Sequence, residues 1–373
     1  MKRRVAELIP ITGNGGVETL VKDYALLIDK QKFDLIIITM QRVEGASVDN
    51  ILSDNKIRII PIYKNIYTRK TILARVIRKI NDFWFVPFKV CSICKKEQID
   101  VLHIHRAVLR HFKLVSRYLK KLKVKLIYTC HCIPEIAFSK KEILAAKYLI
   151  KYNDLQILAL HEEMRDKINS ILEIENVQII RNGIDYERFK NVNIDKEQYK
   201  HSVGIKKGTF VIGNIGRFEE SKNHEFLIDI FYACYLRDND VFLLLIGDGY
   251  NKSNIIRKLN DLGLKSNYLI LSNRSDIPQL LHCMDVFVFP SKHEGFGIVA
   301  IEAQVAGIRC IISDCVPKEV LQTDLAISVS LDEPPEKWAK IIMDNSIHRK
   351  GLGHIEDYNM NYEIKKLEKL YLK

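Results

Sequence analysis

Two successive series of short aliphatic and β-branched runs, separated throughout by helix-period segments, constrain this chain more than any other feature. The first series reads Val5–Ile9, Leu35–Thr39, Arg58–Ile62, Val101–His105, Leu126–Thr129, Ile157–Leu160 and Gln178–Ile180. The second starts afresh with Phe210–Ile215, Val241–Ile246, Tyr268–Leu271, Val286–Phe289, Cys310–Ile312 and Ala326–Val329. Runs of this kind alternating with helices predict parallel strands, because a parallel pair needs a crossover connection and the helix supplies it. The expected class is α/β, with two doubly wound parallel sheets.

The chain has 373 residues, more than one core ordinarily supports. Between the series lie Arg181-Asn182-Gly183-Ile184-Asp185 and a polar stretch, Asn191–Lys207, rich in turn formers. We therefore divide the chain into residues 1–188, residues 189–355 and a terminal segment 356–373. In that segment Tyr358, Tyr362, Leu367, Leu370 and Tyr371 recur at helical intervals, predicting a helix whose apolar face packs back toward the first domain.

Charge separates the two halves. Residues 1–188 hold 34 Lys and Arg against 21 Asp and Glu, a balance of +13, whereas the remainder holds 24 against 25. Within the first half, residues 51–150 alone carry 22 against 6, or +16. An excess confined to one domain implies an anionic partner there. The segment Ala107–Lys123 reads as an amphipathic helix, with Arg110, Lys113, Arg117, Lys120, Lys121 and Lys123 around Leu109, Phe112, Val115 and Leu119. With the nearby Phe83-Trp84-Phe85-Val86-Pro87-Phe88 it suggests a peripheral anionic membrane surface, the plainer alternative being a core helix with a solvated basic face. No nucleic-acid recognition module accompanies the charge, so nucleic acid is not expected as a partner.

No run approaches the length of a membrane span, and Glu7 and Pro10 interrupt the N-terminal run that imitates a signal peptide, so the expected location is cytoplasmic. Eight cysteines without framework spacing fit a reducing compartment. Cys91 and Cys94 form one CxxC with no second pair, so they read as buried thiols rather than zinc ligands.

Ligands of open α/β sheets bind beyond the carboxyl ends of strands, which directs attention to the residues just past each run. Past the first lies Gly13-Asn14-Gly15-Gly16-Val17-Glu18, where Gly15 and Gly16 open a helix; a phosphate site and a plain turn both fit. Past Phe210–Ile215 lies Gly216-Arg217-Phe218-Glu219-Glu220-Ser221-Lys222-Asn223. Its two cations are suited to clamping a diphosphate, Arg217 through its planar fork and Lys222 as a point charge, unless the loop is simply solvated. Past Val286–Phe289 lies Pro290-Ser291-Lys292-His293-Glu294-Gly295-Phe296-Gly297, and then a helix carrying Glu302 about two turns beyond Glu294. Bare backbone at Gly295 and Gly297 suits a phosphate or sugar oxygen, and the two carboxylates suit vicinal hydroxyls.

These segments together resemble the retaining glycosyltransferases of family 4, which have the GT-B fold of two facing Rossmann-like domains. The likeness rests on Glu294 and Glu302 spaced by seven residues around EGFG, on the GRFEESKN loop, on RNGID and on the N-terminal GGVE loop, and it covers nearly the whole chain. The resemblance implies that Arg217 and Lys222 hold the donor diphosphate, Glu294 the hydroxyls of the transferred sugar, and Glu302 the ribose. It also implies that Gly15, Gly16, Gly295, Phe296 and Gly297 border the donor and that the Asn273–Ile277 loop with Arg274 lines the base. His131, after Leu126–Thr129, matches the family's first-domain histidine near the reacting sugar; without that resemblance it reads first as a structural strand-end residue.

The resemblance further implies a retained anomeric configuration, with the leaving phosphate accepting the acceptor's proton, and no cofactor or catalytic metal. Asp238-Asn239-Asp240 mimics a metal-binding DxD but precedes its strand, on the wrong edge of the sheet, and the His103-x-His105 pair supplies too few ligands. Ile312–Val320 is similar to a segment of bacterial enzymes that assemble exopolysaccharide or capsule units. That points to a lipid-linked glycan acceptor at the inner face of the membrane, while the donor, expected to be UDP-linked, stays open among UDP-glucose, UDP-galactose and UDP-N-acetylglucosamine. The alternative from another class is a UDP-sugar epimerase built on the same two-domain plan.

Overall fold

The computed structural model describes residues 2–13, 15–63, 72–105, 108–344 and 355–373. The first sheet contains β1 (Arg3–Ile11), β2 (Phe33–Gln41), β3 (Arg58–Tyr63), β4 (Val101–Ile104), β5 (Lys125–Thr129), β6 (Gln156–Ala159) and β7 (Gln178–Ile179). Their order is β3-β2-β1-β4-β5-β6-β7, and every pairing is parallel. The second sheet contains β8 (Phe210–Ile215), β9 (Val241–Ile246), β10 (Tyr268–Leu271), β11 (Val286–Phe289), β12 (Arg309–Ser313) and β13 (Ala326–Val329). It repeats the plan as β10-β9-β8-β11-β12-β13, again all parallel. In each sheet the winding reverses once, between β1 and β4 and between β8 and β11. At such a switch point the connections leave in opposite directions and open a crevice at the strand carboxyl ends.

The central strands are long aliphatic runs because both of their faces are covered. Ile36, Ile37 and Ile38 of β2 and Leu243, Leu244 and Leu245 of β9 are each fully buried. Two cores result. One gathers Val5, Ile9, Tyr24, Ile37, Val101 and Ile127 with Ile364, Leu367 and Tyr371. The other gathers Ile212, Phe231, Leu243, Leu245, Val286 and Val288 with Trp338. Each such side chain contributes about 1.5–3 kcal/mol through burial, so the terminal residues are structural members of the first core.

The chain forms two compact units, one of Met1–Gly183 with Met360–Lys373 and one of Ile184–Asn359. The transition at Gly183 explains the glycine of the RNGID segment. A Cβ there would lie 2.5 Å from the Met360 Cα, so only glycine admits this approach of backbone to backbone. The terminal helix runs Met360–Leu372 and buries Met360, Ile364, Leu367, Leu370 and Tyr371. Tyr362, expected on the apolar face, is instead exposed, and Tyr358 precedes the helix and stacks on Phe296 in the second unit.

One further expectation is corrected and one is met. The helix expected over 107–123 is two short ones, Leu109–Leu114 and Ser116–Lys121, interrupted at Val115, whose φ of −108° and ψ of 9° leave the helical range; Ala107 lies outside the described residues. Cys91 and Cys94 are buried free thiols on the helix Ile72–Lys96, and burial pushes both up to about 12, so neither is a ready ligand.

Candidate functional site

In the second unit the switch point between β8 and β11 carries two of the sequence-predicted groups together. The loop after β8 tightens into a single 3-10 turn at Glu220–Lys222 and leaves it through Asn223 at a φ of +57°. Lys292 N–H donates to the Ser221 carbonyl at 2.8 Å, tying this loop to the segment after β11. Lys222 Nζ then lies 2.5 Å from Glu294 Oε1 and 5.3 Å from the centroid of the Phe289 ring. Both charges are largely withdrawn from solvent, with side-chain exposures of 18% for Lys222 and 8% for Glu294. A pair so placed has a fixed geometry and a strengthened local field.

Beyond Glu294 the chain bends through Gly297 at a φ of +96° and enters the helix Ile298–Val305. The cap supplies no side-chain acceptor, so first-turn N–H groups are open to a ligand oxygen. Glu302 stands just over one turn into this helix, since Gly295–Gly297 remain outside it. Phe296 is buried against Tyr358 with ring centroids 5.4 Å apart, so its side chain anchors the segment. Gly247 after β9 reinforces the β8 loop: a Cβ there would meet the Gly216 carbonyl oxygen at 1.9 Å. That contact, which the sequence reading missed, holds the Arg217 loop against the neighbouring strand end.

Arg217 is two-thirds exposed and pairs with Glu219 at 2.9 Å rather than with the Lys222–Glu294 pair. Arg274 is likewise held locally, its guanidinium donating to both oxygens of Asp276, which also accepts from the Tyr199 hydroxyl. The Arg274 hydrogen bond, offset in part by burial, lowers the Asp276 carboxyl to about 2. Asp238-Asn239-Asp240 stands immediately before β9, at the amino end of the sheet.

The first unit brings together a second group, also at a switch point. Alternation along the strands places Val5, Glu7 and Ile9 of β1 on one face, as it does His103 and His105 at the end of β4 and Thr129 and His131 at the end of β5. Glu7 pairs in register with His103. Its Oε2 accepts from His105 Nε2 at 2.7 Å and lies 3.2 Å from His103 Nδ1, while Oε1 accepts from the Tyr371 hydroxyl at 2.6 Å. His103 is further bonded to the Tyr371 oxygen at 2.6 Å and to Thr129 Oγ1 at 2.7 Å. The outer ring is His131, half-buried, with its Nε2 2.8 Å from His105 Nδ1 and the two rings stacked at 5.0 Å. Burial raises the Glu7 carboxyl, but the His103 and His105 rings outweigh it and hold Glu7 well below the usual carboxylate range. Burial lowers His105 to about 4, and burial with His105 and His103 alongside holds His131 well below its ordinary value.

The view that His103 and His105 lack a third ligand is therefore incomplete, since Glu7 brings three ligand atoms within 4.8 Å of one another. Glu7 reads in the sequence only as a charge interrupting an apolar run; the V-x-E-x-I alternation beside V-x-H-x-H was the available signal. At the nearby glycine loop, Gly15 caps the helix Gly16–Leu27, and a Cβ on it would meet Glu18 Oε2 at 2.2 Å. A carboxylate so close to the helix start opposes a phosphate there. Asn14 of this loop lies outside the described residues.

Known proteins share both halves of the chain. The family model described as Glycosyltransferase Family 4 matches residues 14–188, and that described as Glycosyl transferases group 1 matches residues 195–342. The putative glycosyltransferase EpsF of Bacillus subtilis is 28% identical over 350 residues, covering 91% of this chain and 87% of its own. A UDP-Gal:alpha-D-GlcNAc-diphosphoundecaprenol alpha-1,3-galactosyltransferase of Escherichia coli is 26% identical, covering 83% and 78%. The crystal structure of Anabaena HepE in complex with UDP and glucose superposes with a TM-score of 0.77 over 99% of both chains at 17% identity, a likeness of fold. WaaG, a glycosyltransferase involved in lipopolysaccharide biosynthesis, gives 0.69 over 98% of this chain and 99% of its own, at 13% identity.

Proposed function

From the premise that the chain belongs to the glycosyltransferases of family 4 and is an enzyme of polysaccharide assembly, we propose that it transfers a hexose from a UDP-linked donor to a lipid-linked glycan, with retention. The observation that carries this reading is the Lys222–Glu294 pair at the β8/β11 switch point, beside the uncapped helix Ile298–Val305. Cleavage of the donor leaves negative charge on the nucleotide diphosphate. Lys222 and the N–H groups at the start of Ile298–Val305 are placed positive poles for that charge, and Arg217 joins them on turning from Glu219. Glu294, oriented by Lys222, accepts from sugar hydroxyls, and Glu302 from the ribose. The UDP-linked donor and diphosphoundecaprenol acceptor named for the Escherichia coli relative, and the UDP and glucose bound by HepE, support the same substrate class. The epimerase alternative is not favoured, since both matching models describe glycosyltransferases.

We assign no cofactor or metal to the reaction. The surface presented to the acceptor's membrane is the basic face of the first unit. Trp84, Phe85 and Phe88 on the helix Ile72–Lys96 are exposed, and Phe83 of that helix meets the His111 ring edge-on at 5.2 Å, which joins it to Leu109–Leu114. Arg110, Lys113, Arg117, Lys120, Lys121 and Lys123 are exposed around it. No helix among the described residues is long and apolar enough to cross a membrane.

The test is a thermal-shift screen of UDP-glucose, UDP-galactose and UDP-N-acetylglucosamine, and then transfer assays with a diphosphoundecaprenol acceptor in excess EDTA. One UDP-sugar should stabilise the protein and be consumed only with acceptor. Consumption without acceptor, or loss of transfer restored by Mg2+ or Mn2+, would overturn the reading.

A further inference from the structure

The buried cluster of the first unit has an internal proton order that its distances dictate. Oε1 of Glu7 takes the Tyr371 hydroxyl proton, and Oε2 takes a proton from His105 Nε2 at 2.7 Å. A neutral imidazole that donates through Nε2 has a bare Nδ1, so His105 Nδ1 can only accept, and its partner at 2.8 Å is His131 Nε2. His131 must then carry its proton on Nε2, leaving Nδ1 as a lone pair that has no partner among the described residues. A metal at Glu7, His103 and His105 is disfavoured by the same distances. Neighbouring ligands around a tetrahedral ion with bonds near 2.0–2.1 Å stand roughly 3.3 Å apart, more than the 2.7 Å separating Glu7 Oε2 from His105 Nε2. The cluster is also fully enclosed, with Glu7 and His103 at 0% exposure, and its other polar atoms are already paired.

We propose that Glu7 and His105 are positioning residues that lock His131 in the Nε2–H tautomer, so that its half-buried ring offers a hydrogen-bond acceptor, and never a donor, to a hydroxyl. This rests on reading His131 as a residue of the donor site. Such an acceptor selects a ligand hydroxyl that can donate at that position, and it makes β1, the ends of β4 and β5 and the terminal helix parts of one orienting device. Tyr371 contributes by occupying Oε1, which leaves Oε2 to His105. The stacking of His105 under His131 at 5.0 Å fixes the ring plane while the hydrogen bond fixes the proton.

The test uses the full chain labelled with 15N-histidine and long-range imidazole 15N–1H spectra, with His131 assigned by its disappearance in His131→Asn. Both His105 and His131 should show a single Nε2–H tautomer. In His105→Phe, which keeps a ring beneath His131 but removes its acceptor, an Nδ1–H population of His131 should appear; in Glu7→Leu both rings should lose the single tautomer. A wild-type His131 carrying Nδ1–H, retention of the single tautomer in both folded variants, or stoichiometric zinc in the purified protein would overturn the proposal. The wild-type spectrum decides by itself should either variant fail to fold. Addition of UDP-glucose, UDP-galactose or UDP-N-acetylglucosamine separates the two readings. A shift of His131 Nδ1 with one of them supports both, whereas a locked tautomer that none of them perturbs keeps the relay and removes His131 from the donor site.

Discussion

Lys222 and Glu294, 72 positions apart in the chain, meet at 2.5 Å where β8 and β11 adjoin. The carboxylate holds the ammonium at one point, and the ammonium in turn orients the carboxylate. Lys222→Met retains the stem over Phe289 but not the charge. It is expected to lower kcat/KM by about 10²-fold or more and stability by about 1–3 kcal/mol, because Glu294 is left poorly solvated. Glu294→Gln should fold normally and slow transfer. Steady-state kinetics with the UDP-sugar chosen by thermal shift, alongside urea melts, check both; additive effects in the double variant would show that the pair does not act as a unit.

Arg217 stands outside that pair, two-thirds exposed beside Glu219. Arg217→Ala should leave stability within about 0.5 kcal/mol of wild type, as for other surface substitutions, yet weaken nucleotide-sugar binding about tenfold in isothermal titration. Combined with Lys222→Ala, it should nearly abolish transfer. Unchanged affinity in the double variant would place the donor elsewhere.

His224 opens the helix His224–Tyr235 with both ring nitrogens buried and without a hydrogen-bond partner. Burial, with Lys222 adding to it, lowers His224 from 6.5 to about 4. Between those values the unfolded chain binds the proton and the folded chain does not, so stability is complete above pH 6.5 and falls as the pH drops toward 4. The contribution at stake is about 2–3 kcal/mol. His224→Phe, whose ring can pack on Phe218, should remove this part of the slope and leave stability at pH 7 unchanged or higher. Denaturant midpoints from pH 4 to 7.5 measure it, and an unaltered slope would refute it.

The basic face of the first unit predicts vesicle binding that rises with phosphatidylglycerol content and falls with salt, since cations near an anionic surface contribute about 1 kcal/mol each. Changing Lys120, Lys121 and Lys123 to Glu should weaken co-sedimentation without altering turnover of a water-soluble acceptor. Equal partitioning onto neutral and anionic vesicles, or none onto either, would remove the membrane from the account and leave the donor site intact.

The sheets were legible from the chain because parallel strands covered on both faces need uninterrupted aliphatic runs, and Phe210–Ile215, Val241–Ile246 and Val286–Phe289 have the bounds that their composition predicts. Helical segments were less so: the amphipathic pattern over 107–123 runs through the break at Val115, and Tyr362 lies off the buried stripe of Met360, Ile364, Leu367 and Tyr371. In the second unit Arg217, Lys222 and Glu294 could be named from their positions after a strand, whereas Glu7, inside β1 of the first, could not. Whether each had a partner could not be read, and Arg217 and Lys222, alike in the loop, turn out to be exposed and enclosed respectively.

By itself, then, the sequence determined two parallel sheets, where each starts, and which strand ends carry charged residues and glycines, because strand period and turn chemistry are local. Only the tertiary structure decided that Lys222 lies on Glu294, that Gly183 admits Met360, and that Glu7 threads a buried line of hydrogen bonds through His105 to His131. Those relations depend on which strands become neighbours at the switch points, and neighbours in a parallel sheet are separated by whole crossover segments of the chain.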